Sequence, residues 1–341
     1  MNRDYYKAAV LFEQNKPLEL VELIHSEPSD GNVKVKMISA GLCGAQVNEI
    51  SGKKGEDKFL PHLMGHEGFG VVQAVGKGVQ NIKPGDCVVL HWRPGVGLNG
   101  SNKTFTSVDG KRIGAGPVTT FSEYTVVSEN RCTVVPAIEG LELVMPLLGC
   151  ALSTAYGAVK YEAQLRKHDR VLIVGAGGLG MAIMFWCKVF GVNHVDVVDL
   201  QEKKSIQVRE FSGNFYNSMV DCEKATYDAI FETTGSVSNV EYTLDLVAKS
   251  GSIILIGQVS HSEKVTFKNF LHFYDEVKMI ASRGGNFQPE NDMQAILQHV
   301  IDNKDMSLRL ISETVSLENV NKGFDLMKTQ NSRRVIIDFS L

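Results

Sequence analysis

One run constrains this chain more than any other: Gly175-Ala-Gly-Gly-Leu-Gly180, set between the apolar residues 171–174 and an uncharged, helix-patterned stretch. Four consecutive apolar residues predict a buried strand that ends in a turn only glycine accommodates. Gly175 permits the tight turn, Gly177 lets the backbone approach a pyrophosphate, and Gly180 lets helix and strand pack closely. Gly178 and Leu179 open the helix predicted over 178–190, whose N-terminus offers N–H groups and partial positive charge to phosphates. Asp199 ends a second strand, 195–199, where a carboxylate can accept hydrogen bonds from both hydroxyls of a ribose. A glycine pattern alone also fits other βαβ turns. With strand, helix, second strand and acid in register, it predicts a dinucleotide site.

The same alternation continues past this unit. A helix is predicted over 151–161, then helix 202–211, strand 227–231, helix 238–248, and strands 252–256 and 277–281. Strands alternating with helices predict a doubly wound parallel sheet, and the glycines after Thr234 and Ile256 leave room for a ligand over its carboxyl edge. Thr234 and Gly257 are therefore candidate cofactor contacts. Residues 1–150 read differently. Short alternating runs at 32–37, 70–75, 86–90 and 121–127, punctuated by turns such as Lys83-Pro-Gly-Asp86, predict a β-rich domain. A helix at 290–302 and a strand at 333–339 close the chain, the latter predicted to rejoin the first domain. The expected organisation is a β-rich domain at 1–150, a dinucleotide-binding domain at 151–287 and a returning segment at 288–341. Residues 93–116 form a long polar, glycine-rich excursion without periodicity, the kind of loop that is usually functional or mobile.

Composition narrows the function classes. The net charge of −4 and the lack of a basic block argue against nucleic acid as a partner. The first residues carry no signal-peptide core, and the uncharged stretch 171–187 is explained by strand, turn and helix rather than a membrane span. The expected location is the cytoplasm. Six cysteines in 341 residues do not make a disulfide framework. Cys87, Cys187 and Cys222 read as buried small hydrophobes, and Cys132 is undecided.

Cys43 and Cys150 stand apart. Cys43 lies in Gly-Leu-Cys-Gly, Cys150 in Leu-Gly-Cys-Ala, and between them His66 and Glu67 lie in Gly-His-Glu-Gly. Two thiolates and an imidazole suit zinc, and three protein ligands with one open position are what a catalytic zinc needs. Spacing alone leaves open whether residues so far apart meet.

The ordered motifs Gly-Leu-Cys-Gly, Gly-His-Glu-Gly-Phe-Gly-Val-Val, Lys-Pro-Gly-Asp, Gly-Cys-x-x-Ser-Thr and Gly-Ala-Gly-Gly-Leu-Gly resemble the zinc-containing medium-chain alcohol dehydrogenase superfamily along essentially the whole chain. The resemblance implies a GroES-like β-barrel catalytic domain and a Rossmann coenzyme domain, with the zinc in a cleft between them. It implies that Cys43, His66 and Cys150 hold one catalytic zinc, with Glu67 beside it as a possible further ligand. It places Thr154 near the nicotinamide, Asp199 on the adenosine ribose and Arg334 (or its neighbour Arg333) on the pyrophosphate. Asp199 favours NAD(H), because a 2′-phosphate would be repelled. Lys204 either assists there or is a solvated helix lysine; Trp92 and Ala45 line the substrate pocket, unless Trp92 is core. The implied chemistry is hydride transfer between a carbinol carbon and the nicotinamide, with zinc polarising the oxygen. Homodimers or homotetramers are implied as well.

Two departures from that pattern matter. The excursion 93–116 lacks the four cysteines of a structural zinc, so no second zinc is expected, and other contacts or an oligomer partner must order it. The hydroxyl and carboxylate that usually follow the first cysteine ligand are replaced by Ala45 and Gln46, with Asn48 where a relay histidine sometimes lies. Alanine cannot pass a proton, so the route must use water, Glu67 or the substrate; His62 and His91 are replacement candidates. The leading reading is a zinc-dependent, NAD-linked oxidoreductase for a secondary alcohol or polyol, or the matching carbonyl, with a sugar or cyclitol derivative as one such substrate. The alternatives are a zinc-free reductase of the same superfamily and a catalytically impaired dinucleotide-binding protein.

Overall fold

A computed structural model describes residues 4–101, 104–268, 270–329 and 332–341. The chain divides into two compact units, one of residues 1–150, 288–298 and 307–341, the other of residues 151–287 and 299–306.

In the second unit, the apolar run becomes the strand Arg170–Val174, whose last four residues are at most 1% exposed. A strand apolar on both faces must lie inside a parallel sheet covered on both sides. It does: six parallel strands run in the order Asn214–Tyr216, His194–Val198, Arg170–Val174, Tyr227–Glu232, Val247–Leu255, Lys278–Ala281. The order reverses between Arg170–Val174 and Tyr227–Glu232. This is the switch point at which an open parallel sheet receives a ligand.

Element ends differ from expectation where packing overrides local pattern. The helix expected to reach residue 248 stops at Leu246, because Val247 is buried and already pairs with Tyr227. The strand therefore begins at Val247 rather than 252. The helix expected over 151–161 is α-helical only over Ala151–Gly157 and widens to a π-turn over Ala158–Glu162.

The first unit is built around the long strand Asn32–Leu42, which pairs antiparallel with Glu67–Val75, Tyr124–Ser128 and the C-terminal Arg334–Asp338. Together with Cys87–His91, Cys132–Val134 and Ile311–Val315 these form a seven-stranded sheet; a five-stranded sheet begins with Tyr5–Leu11 and Glu19–Ile24. Val33, Val35, Leu42, Leu90 and Val335 of the larger sheet pack with Phe121 in one apolar core, while Tyr6, Val10, Leu23, Leu63 and Ile113 form a second, smaller one in the five-stranded sheet.

The polar excursion is ordered by a carboxylate. Glu129 is 1% exposed; its Oε2 accepts the Leu98 N–H at 2.8 Å, and its Oε1 accepts those of Gln80 and Asn81 at 3.0 and 2.8 Å. These bonds hold its carboxyl below the usual carboxylate range in spite of burial. Gly97 sits at φ 111, and a methyl group there would meet the Glu129 side chain at 2.7 Å. Later in the excursion, the short strands Phe105–Thr106 and Arg112–Ala115 pair as a hairpin. Asn102 and Lys103 lie outside the described residues.

Candidate active site

The first unit brings Cys43, His66, Glu67 and Cys150 together: one ligand atom from each lies within 4.8 Å of all the others. Cys43 immediately precedes the helix Gly44–Ile50. Glu67 opens the strand Glu67–Val75, and Gly65 turns the chain ahead of it at φ 101. A side chain at Gly65 would strike the Thr120 hydroxyl at 2.2 Å, so this turn has no room for another residue. Gly41 leaves room for the Glu67 side chain, since a methyl group there would meet the Glu67 carboxyl at 2.7 Å.

The cysteines divide into two chemical classes. Burial alone pushes the Cys187 thiol up to about 12, and burial likewise raises Cys132 and Cys222. Cys132, in the strand Cys132–Val134, is thus another buried hydrophobe; Cys87 differs from expectation in being only half-buried. Cys43 moves the other way. Hydrogen bonding with Cys150, then with His66, together with the charges of His66 and Arg334, holds it well below the usual thiol value against its burial. A thiol so poised is a ready thiolate ligand.

Two buried polar side chains support this cluster. Gln46, fully buried, accepts the Cys43 N–H on its Oε1 at 2.9 Å and so fixes the loop that carries the first sulfur. Arg334 is 4% exposed, and its guanidinium bonds the Glu67 Oε1. The structure thus places the arginine expected on the pyrophosphate against Glu67. The other oxygen of Glu67 is buried and has no hydrogen-bond partner among the described residues. Two thiols, an imidazole and a carboxylate oxygen lacking a donor form a set that fits Zn²⁺.

Neither replacement histidine joins this group. His91 is fully buried, with Nδ1 2.6 Å from the Arg93 carbonyl and Nε2 3.0 Å from the Thr133 hydroxyl. Burial pushes its pKa down to about 4, so it is neutral and structural at pH 7. The His62 Nδ1 lies 2.7 Å from Asp57, and its ring packs on Phe59. Ala45 lies in the first turn of the helix Gly44–Ile50, and half-buried Trp92 offers its carbonyl to the Arg131 guanidinium.

The second unit carries the residues expected to bind a coenzyme, with Asp199 and Lys204 tied to the glycine turn. Gly175 sits at φ 102, and a methyl group at Gly180 would fall 1.8 Å from the Gly175 carbonyl oxygen. Gly177 has nothing within 4 Å of its would-be Cβ, which leaves open space over the turn. The first helical bond runs from Met181 N–H to the Gly177 carbonyl, so the N–H groups of Gly178, Leu179 and Gly180 precede the helix's own ladder. Asp199 accepts the Ala176 N–H at 2.9 Å and the Lys204 ammonium at 2.8 Å on Oδ2, and the Gln201 N–H at 3.0 Å on Oδ1. Lys204 is 4% exposed, which excludes the solvated-lysine reading. Thr154 is buried on the helix Ala151–Gly157.

Glu232 escaped the sequence reading. It ends the strand Tyr227–Glu232, fully buried beside the switch point, and it binds the main chain of Thr234 and Gly235. Burial pushes its carboxyl above the usual carboxylate value, opposed by these hydrogen bonds. The signal was present: an acid at the last position of an apolar strand, just before Thr-Thr-Gly.

Comparison with known proteins agrees with both halves. Residues 29–137 match the family described as alcohol dehydrogenase GroES-like domain, and residues 178–302 match that described as zinc-binding dehydrogenase. Among solved structures, the alcohol dehydrogenase zinc-binding domain protein from Burkholderia ambifaria superposes with a TM-score of 0.88 at 21% identity, covering 98% of each chain. Benzyl alcohol dehydrogenase from Acinetobacter calcoaceticus gives 0.86 at 19% identity, covering 98% of this chain and 99% of its own. Acetophenone reductase from Geotrichum candidum, solved with NAD, gives 0.80 at 21% identity over 99% and 98%. At these identities the structural matches establish a shared fold.

Proposed function

Since the chain belongs to the zinc-binding medium-chain alcohol dehydrogenase superfamily, with its GroES-like and Rossmann-like parts, we propose that it is a zinc-dependent, NAD(H)-linked oxidoreductase that interconverts a secondary alcohol or polyol with its carbonyl. The observation that carries the reading is the convergence of Cys43, His66, Glu67 and Cys150 within 4.8 Å. These residues would hold one zinc, which when bound supplies Lewis acidity toward the substrate oxygen.

The chain's own residues do the rest. Gly175, Gly177 and Gly180 shape the turn for the pyrophosphate, and the N-terminus of the helix Gly178–Val189 faces it with N–H groups. Asp199 accepts from the adenosine ribose while Lys204 holds the carboxylate in place. The Arg334–Glu67 pair keeps a carboxylate beside the metal ligands, and Gln46 anchors Cys43 from behind. With Ala45 where a hydroxyl relay would stand, no side chain there takes the alcohol's proton. A vicinal hydroxyl on the substrate, or water, fills that part. This supports a polyol, sugar or cyclitol derivative over a simple alcohol.

The test is an initial-rate panel with NAD⁺ and NADP⁺ against primary alcohols, secondary alcohols, vicinal diols and cyclitols. The expected result is NAD⁺ reduction, fastest with a polyhydroxylated secondary alcohol. Complete inactivity of a zinc- and NADH-binding preparation would overturn it in favour of an impaired dinucleotide-binding protein.

A further inference from the structure

The parallel sheet contains a carboxylate that the proposed chemistry does not use. Glu232 pairs in register with Val174, the residue before the Gly175 turn, so it stands at the switch point itself. Among the described residues no lysine, arginine or histidine forms an ion pair with it. An isolated buried carboxylate is costly unless it is hydrogen-bonded, so its retention calls for a role.

Its partners are main chain on two neighbouring strand ends. The Oε1 accepts the Thr234 N–H at 2.8 Å and also the Thr234 hydroxyl. The Gly235 N–H lies 3.2 Å from Oε1 and 3.0 Å from Oε2. The Glu232 carbonyl accepts the Ile256 and Gly257 N–H groups, both at 2.9 Å. The two turns meet backbone to backbone: a methyl group at Gly257 would fall 2.2 Å from the Gly235 nitrogen and 2.7 Å from Glu232 Oε2. The side chain of Glu232 therefore fixes the turn that follows Tyr227–Glu232 and packs against the turn that follows Val247–Leu255, which its main-chain carbonyl holds.

We infer that Glu232 is a positioning residue for the nicotinamide half of the bound dinucleotide. In a doubly wound sheet, the first three strands hold one mononucleotide and the next three the other, across the switch point. The glycine turn and Asp199 belong to the first half. Turns 233–236 and 256–258 belong to the second, and Glu232 fixes exposed Thr234 over that edge. The inference rests on the NAD(H) reading above.

The experiment titrates NADH and AMP separately into the wild-type protein and into Glu232→Leu and Glu232→Gln. AMP reports only the adenosine half. Failure of the wild type to bind NADH would refute the functional reading, independently of Glu232. Given wild-type binding, Glu232→Leu is expected to weaken NADH about tenfold, the loss of one hydrogen-bonded charge, with AMP within about twofold of wild type. Glu232→Gln, which keeps one acceptor oxygen, is expected to lose about threefold on NADH alone. Unchanged NADH affinity in Glu232→Leu, or AMP falling in parallel with NADH, overturns the inference. Should Glu232→Leu fail to fold, Glu232→Gln decides by the same comparison: NADH weakened with AMP unchanged supports it, and NADH unchanged overturns it.

Discussion

The glycine turn and the thiol cluster encode function in opposite ways. The turn is written in adjacent residues, and its shape follows from backbone sterics: a side chain at Gly180 would meet the Gly175 carbonyl oxygen at 1.8 Å. The cluster is written in positions 43, 66, 67 and 150, supported by 334: Asn32–Leu42 pairs with both Glu67–Val75 and Arg334–Asp338, and Gly149 packs on the Glu67 main chain to bring up Cys150. A local motif can be read from a sequence by physics. A constellation made by long-range strand pairing can be listed as candidates but not assembled.

Loss of one sulfur has the largest expected effect. Cys150→Ser is expected to reduce turnover roughly a thousandfold, the scale of metal Lewis acidity, while NADH affinity stays within about twofold. Steady-state kinetics and an NADH titration read the two effects separately. A parallel loss of NADH binding would show that the two regions do not act independently.

The buried ion pair comes next. Arg334→Met leaves Glu67 as an uncompensated buried charge and is expected to cost about 3–5 kcal/mol of stability. Urea unfolding monitored by circular dichroism measures it. A cost under about 1 kcal/mol would mean that the pair is not held as described.

The converse of the sulfur variant is Gly180→Ala, which cannot keep the Gly175 turn. NADH affinity is expected to fall roughly a hundredfold, about 2.7 kcal/mol, with zinc content unchanged. Normal NADH binding would refute the steric account of the turn.

The smallest effect separates a structural histidine from a metal-binding one. His91 is buried neutral, with its pKa pushed down to about 4 from an ordinary 6.5. Below pH 6.5 the unfolded chain binds a proton that the folded chain refuses, so its stabilisation is present above pH 6.5 and is lost as pH falls toward 4. Between pH 7 and pH 5 this amounts to about 2 kcal/mol, and the dependence should be absent from His91→Gln. Identical pH profiles for both proteins would show that His91 is not the neutral, doubly bonded group seen here.

What was legible in the sequence divides along the same line. Five strands of the parallel sheet were readable because apolar strands alternate with helices; the short edge strand Asn214–Tyr216 was not. The end of the helix Val237–Leu246 was not, because tertiary pairing of Val247 with Tyr227 decides it. The polar excursion gave no periodicity, because Glu129, beyond the excursion itself, holds its main chain. Arg334 was singled out, yet its bond to Glu67 depends on strand register and not on any local pattern. Glu232 was overlooked because a lone acid at a strand end looks solvent-facing until the neighbouring turns close over it.

The residues around Cys43 are expected to hold one zinc. Metal content of the purified, dialysed protein, measured by plasma emission spectrometry beside a Cys43→Ser/Cys150→Ser variant, tests it most directly. About one zinc per chain is expected in the wild type and almost none in the variant. A zinc-free wild-type protein that still oxidises alcohols, or equal zinc in both proteins, would contradict it.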